Sequence, residues 1–250
     1  MTDSQWKIFN NFKDELRSQI EVWAKTAPEL TELQKAAAIA GKTPAYPFET
    51  SVVYNRALDE LTKSDNIKLI VIGDNPGKDE QLAKNNRYLV GQAGKIAEGY
   101  FKKNPELGVD FRKNVIILNK TPVHSAKTKQ LQTIAKLGGP KIAGLLKESQ
   151  IWMAEKTAKL HSDLCGAGEA SELWLVGYSE LKGKGIFTDY RDTLKQIYMN
   201  VNPAIWDKVY VFQHFSMNRF TIDLKDNFDQ KESLQNNIYR LGNLHKTEIF

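Results

Sequence analysis

The stretch Asn66–Ala97, NIKLIVIGDNPGKDEQLAKNNRYLVGQAGKIA, decides the fold. Lys68–Ile72 is a continuous apolar, β-branched run, the pattern of a strand buried on both faces of a parallel sheet. It ends at Gly73-Asp74-Asn75-Pro76-Gly77, where glycines flank the turn and Pro76 stiffens it. A polar loop follows, then a helix over Ala93–Phe101 entered through Gly91 and Gly94. Open parallel sheets are built from such strand–turn–helix units, and they bind ligands beyond the carboxyl ends of their strands.

Three further strands fit the same scheme. Val115–Asn119 (VIILN) and Val209–Phe212 within VYVFQH are short apolar runs that end in polar groups, and Leu173–Val176 runs straight into Gly177 and Tyr178. Alternation with helical segments predicts a three-layer α/β/α sandwich around a mainly parallel four-stranded sheet. Extra N-terminal helices join it. Residues 1–250 read as one domain, with 1–62 a helical extension packed on the core.

Trp6, Phe9, Phe12, Leu16, Ile20 and Trp23 recur at helical spacing and predict an amphipathic helix over Ser4–Trp23 whose stripe is a packing face. Leu30–Ala40 is a second helix, closed by Gly41. Pro44 and Pro47 exclude a regular helix from KTPAYPFET, a loop whose Tyr46 and Phe48 read as packed aromatics able to cover a site. Helices are also expected over Val52–Leu61, Lys141–His161, Tyr190–Met199 and Lys231–Leu241, the last ending near Gly242.

The chain has 250 residues, 41% of them hydrophobic, enough for a substantial core. Its formal charge of +5 permits a polyanionic partner without demanding one. Cys165 is the only cysteine, so an intramolecular disulfide, a structural zinc site built on cysteines and a cysteine-ligated iron–sulfur cluster are excluded. The polar N-terminus carries no signal-peptide core, and no stretch holds 18 apolar residues. A cytoplasmic protein without membrane contact is the expectation.

The strand ends carry the chemistry. The Gly73–Gly77 turn can aim backbone N–H groups and one side chain at a ligand. It matches neither a Walker A loop nor a GxGxxG fingerprint, which argues against a nucleotide kinase. Asn119 closes its strand with an amide able to donate and accept, as a nucleobase edge requires, or to cap a turn. His124, Ser125, Lys127 and Lys129 lie in a basic loop that can meet phosphates or simply be solvated. His214 can donate to a developing oxyanion. In the following FSMNRF, Ser216 and Arg219 suit a phosphate, with Asn218 beside them, and Met217 or Phe220 suits a wedge entering a base stack or a residue packed inward.

VIGDNPGKDE with NNRYLVGQAG, then VIILN, then HFSMNRF, in this order across roughly residues 66–220, resembles the uracil-DNA glycosylase superfamily. The resemblance implies a doubly wound α/β sandwich whose members flip a damaged or mispaired base from DNA and hydrolyse its N-glycosidic bond without a metal. It implies that Asn75 orients the attacking water and that His214 stabilises charge on the departing base. Asn119 would read the base, with Gly73 and Asp74 lining its site. Ser216 would pinch a DNA phosphate, with Pro76, Gly77, Met217, Asn218, Arg219, Phe220 and Lys127 also against DNA. Glu80 and RYLVGQAG are similar to the iron–sulfur branches, whose cluster cysteines are absent here. Leu89 replaces the phenylalanine that stacks on the base there, with Tyr88 the candidate substitute, and Phe215 replaces a usual proline.

The expectation is therefore a DNA glycosylase acting on uracil or a related base, without a cofactor and as a monomer. An inactive nucleic-acid-binding relative of the same fold is one alternative. A small-molecule enzyme or binder that uses the Gly/Pro turn for a phosphate is another.

Overall fold

The computed structural model describes residues 1–201 and 203–250. Strands β1 (Leu69–Gly73), β2 (Val115–Asn119), β3 (Glu172–Val176) and β4 (Val209–Phe212) form one parallel sheet in the order β2-β1-β3-β4. The register aligns Gly73 with Asn119 across β1 and β2, and Val176 with Phe212 across β3 and β4. From β1 the chain steps outward to β2, then crosses back over β1 to β3. That reversal sends the connecting helices to opposite faces, as uniformly right-handed crossovers require. It also opens a crevice between the ends of β1 and β3, where doubly wound sheets hold their ligands.

Side-chain alternation divides the core in two. Ile70, Ile72, Ile116, Leu118, Leu173, Leu175, Val209 and Val211 face one layer, into which α1 (Asp3–Thr26), α2 (Leu30–Ala40), α4 (Gln130–Gly166) and α6 (Thr188–Val201) pack. Leu69, Val71, Val115, Ile117, Trp174, Val176, Tyr210 and Phe212 face the other, formed by α3 (Gln92–Lys103), α7 (Arg219–Asp226) and α8 (Leu234–Ile249). Both faces are covered, which is why the strands read as unbroken apolar runs. A short helix, α5 (Tyr178–Leu181), follows β3.

The N-terminal helices belong to the first layer. A capping box between Thr2 and Gln5 starts α1. Phe9, Phe12, Leu16, Ile20 and Trp23 are buried along it, and both α1 and α2 rest on α4. Among the described residues no helix is long and apolar enough to cross a membrane.

Three expectations need correction. Val52–Leu61 is not a helix: only Arg56–Asp59 turns, as a 3-10 helix. Val52 bridges Val123 in antiparallel fashion, while the buried Asn55 accepts from Ala57 and Tyr88 N–H groups and donates to the Ile117 carbonyl. Tertiary hydrogen bonds have displaced the local helical preference there. The helix expected over Lys141–His161 is the larger part of α4, which begins at Gln130 and bends at Gly139 and Pro140. Finally, α8 runs through Gly242 to Ile249. Gly242 does not stop the helix; it lets it approach β4, since a Cβ there would lie 2.7 Å from Phe212 Cζ and Tyr210 Cβ.

A cleft at the carboxyl ends of the strands

The loops after all four strands meet in one cleft of about 770 Å³, lined among others by Asp74, Asn75, Asn119, Gly177 and His214. The fold thus assembles groups that lie 140 residues apart in sequence, because every strand of a parallel sheet delivers its carboxyl end to the same edge.

Asn119 ends β2 and is 2% exposed, and its amide nitrogen has no hydrogen-bond partner among the described residues. Leaving such a donor unpaired typically costs about 1–3 kcal/mol. A ligand carbonyl or other acceptor in the cleft would recover it. Gly73, directly across in register, is buried beneath this amide.

His214 is half-buried at the end of the segment after β4. The Ser216 backbone N–H donates to its Nδ1 at 3.1 Å, and the Ser216 hydroxyl lies 2.8 Å from the same atom. A backbone N–H can only donate, so Nδ1 holds the lone pair and the proton sits on Nε2. Burial pushes the imidazole below its usual pKa; Asp74 opposes that shift and Lys120 adds to it. The result is a neutral ring whose Nε2–H has no protein partner among the described residues, a donor suited to an anionic oxygen.

Asp74 and Lys120 form the floor. Lys120 is fully buried and donates to Asp74 Oδ1 at 2.6 Å, to the Val176 carbonyl at 2.6 Å and to the Gly73 carbonyl at 3.3 Å. It therefore ties together the ends of β1, β2 and β3. Burial lowers its pKa, an effect that Asp74 offsets. The second Asp74 oxygen lies 3.5 Å from the Thr128 hydroxyl. Gly177 makes room for this pair: its φ is +100°, and a Cβ there would overlap Asp74 Oδ1.

Asn75 lines the cleft, but its amide nitrogen is committed to the Pro76 carbonyl and to the Ser125 carbonyl and hydroxyl at 3.0–3.2 Å. It anchors the loop after β1 to the loop after β2. Glu80 braces the same turn, accepting from the Gly77 and Leu89 N–H groups. Burial pushes its carboxyl up to about 7. The rim carries the exposed cations Lys78, Lys127, Lys129 and Arg219 together with the exposed Asp79, whereas Asp74 and Glu80 are buried lower in the cleft. Phosphates at the rim and an electron-poor centre at the floor would both be favoured.

The structure does not bring every anticipated residue to the cleft. Tyr88 is fully buried, its hydroxyl donating to the Val53 carbonyl at 2.6 Å, and it packs in the second core layer. Leu89, at φ +51°, is the residue of that pair on the cleft wall. Phe220 is not a wedge: it is 1% exposed and packs against Tyr100, Trp174 and Phe212. Met217, 69% exposed and at φ +54°, stands at the loop tip with Asn218 exposed beside it. Pro76 is buried and gives its carbonyl to His124, while Gly77 lines the cleft. Ser216 also lines it, with its hydroxyl turned to His214.

His124 is no phosphate ligand either. Its Nδ1–H donates to the Pro76 carbonyl at 2.8 Å, and its Nε2 accepts from the Tyr46 hydroxyl at 3.0 Å. The sequence reading missed Lys120, a lysine placed directly after an apolar strand. Among the described residues no group of acidic, histidine or cysteine side chains is arranged to hold a metal. No protein-family model, curated protein or solved structure matches this chain.

Proposed function

We propose that the chain is a DNA N-glycosylase of the uracil-DNA glycosylase type, hydrolysing the bond between deoxyribose and a flipped-out uracil or related base. One observation carries this reading: Asn119 presents an unpartnered buried donor in the same cleft where neutral His214 presents an open Nε2–H. Together they suit a base that bears acceptor oxygens and leaves with negative charge. A volume of about 770 Å³ accommodates an extruded nucleotide. The rim lysines and Arg219 suit the flanking phosphates, and exposed Met217 suits the gap left in the stack.

A second reading has its own support. No Phe, Tyr or Trp side chain lines the cleft among the described residues, so a flipped base would meet Leu89 where a stacking ring would stand. A relative that binds nucleic acid without cutting it fits that wall.

Labelled oligonucleotides carrying uracil, hypoxanthine, xanthine, G·U or G·T, scored for abasic product after alkaline cleavage, separate the two. The glycosylase reading expects product from at least one, lost in His214→Ala. Salt-dependent binding with no product on any substrate supports the inactive relative.

A further inference from the structure

We propose that Asp74, and not Asn75, is the group that activates the attacking water, and that Lys120 is the positioning residue that holds it. The inference rests on the glycosylase reading and names the part of that site which handles the nucleophile.

Three observations carry it. The Asn75 amide nitrogen is saturated by the loop carbonyls and hydroxyl it anchors, and an amide cannot take a proton from water near neutral pH. Asp74 is the carboxylate on the crevice floor, and it lines the same cleft as Asn119 and His214. Its Oδ1 is fixed by the fully buried Lys120 ammonium, leaving Oδ2 with only the long contact to Thr128. One oxygen is held rigidly while the other stays available, the arrangement a general base needs. Gly177, by lacking a side chain, leaves the space this carboxylate occupies.

The chemistry balances. The C1′–N bond breaks with its electron pair leaving on the base, whose oxygen anion accepts a hydrogen bond from His214 Nε2–H. Water oxygen bonds to C1′ and its proton passes to Asp74 Oδ2. The carboxylate later returns that proton to solvent, and the base anion is protonated from solvent. Before bond formation the same carboxylate stabilises positive charge on the sugar.

The charged groups around Asp74 are Lys120 after β2, His214 after β4, and Glu180 on α5, with Lys78, Asp79, Glu80, Lys127, Lys129 and Arg219 elsewhere on the cleft wall.

The test measures single-turnover cleavage and DNA affinity for wild type, Asp74→Asn, Asp74→Ala, Asn75→Ala, Lys120→Met and Lys120→Arg, on whichever oligonucleotide wild type cleaves. Asp74→Asn should slow cleavage about 100-fold or more with affinity changed less than about threefold. Lys120→Met should slow cleavage with affinity changed less than about threefold, and Lys120→Arg should restore part of that rate, as expected of a residue that positions Asp74. Added formate should restore rate to Asp74→Ala, which a purely structural role would not allow. Asn75→Ala should lose less rate than Asp74→Asn. The proposal is overturned if Asp74→Asn cleaves within about threefold of wild type, if Asn75→Ala loses more rate than Asp74→Asn, or if formate restores nothing to a folded Asp74→Ala. A wild type inactive on every substrate removes the glycosylase reading and this inference with it. An active wild type indifferent to Asp74 removes this inference alone.

Discussion

The loops after β2 and β4 each present a histidine near the cleft, and burial lowers the pKa of both. In the first loop, residues 120–129, the ring of His124 is fully occupied by Pro76 and Tyr46. In the second, residues 213–219, His214 uses only Nδ1 and keeps Nε2–H in the cleft. A third histidine, His161 on the buried face of α4, repeats the closed pattern, with Tyr198 on one nitrogen and the Ser171 carbonyl on the other. Burial and a shifted pKa are therefore common to saturated and open imidazoles. The unspent N–H sets His214 apart, because only it has a hydrogen bond left to offer a ligand.

The sharpest way to break this contrast is to exchange the losses. His214→Ala should reduce the single-turnover rate by about 100- to 1,000-fold, the usual effect of removing one preorganised donor, while unfolding free energy changes by under about 1 kcal/mol. His124→Ala should do the reverse. It strands the Pro76 carbonyl and the Tyr46 hydroxyl and should destabilise the fold by about 2–4 kcal/mol in urea titrations. A His124 variant that loses cleavage with unchanged stability would erase the distinction.

The pH dependence of stability sharpens it further. Burial holds His124 at about 4 against 6.5 in the open chain, so the folded state favours the neutral ring. The stability of the neutral ring is present above pH 6.5 and is lost as pH falls through about 4, by about 3 kcal/mol in all. Glu80 runs the opposite way: raised from 4.5 to about 7, its contribution is present below pH 4.5 and is lost as pH rises through about 7. Urea midpoints measured from pH 3.5 to 8 should show Glu80→Gln removing the loss on the neutral side. His124→Gln should remove the loss on the acid side.

A smaller effect tests the rim. Lys127→Ala should weaken DNA binding across sequences and reduce the slope of log affinity against log salt by about 1, with the chemical step unchanged. A change in base preference would instead place Lys127 against the base.

Much of the scaffold was legible because it depends on local pattern. Val115–Asn119, Val209–Phe212 and Leu30–Ala40 stand where apolar runs and helical spacing put them. The misreadings occurred where a distant contact outweighed local preference. Asn55 exchanges the expected helix for hydrogen bonds to Tyr88 and Ile117, and Gly242 serves the packing of α8 on β4. Phe220 suited a wedge or inward packing, and Tyr88 stood as the substitute stacking ring, yet both lie in the core. Which way a side chain points depends on the neighbours it meets, and those lie far away in sequence.

The sequence by itself determined the strands, most of the helices and the polar residues that end each strand, since strand and helix periodicities are properties of neighbouring residues. Tertiary structure decided which polar ends became saturated and which stayed open. Asn75 spends its amide on Ser125, and Lys120 reaches Asp74 only because β1 and β2 lie side by side. The reason is that hydrogen-bond saturation depends on every group within about 3 Å, and strand order, not chain order, chooses those groups.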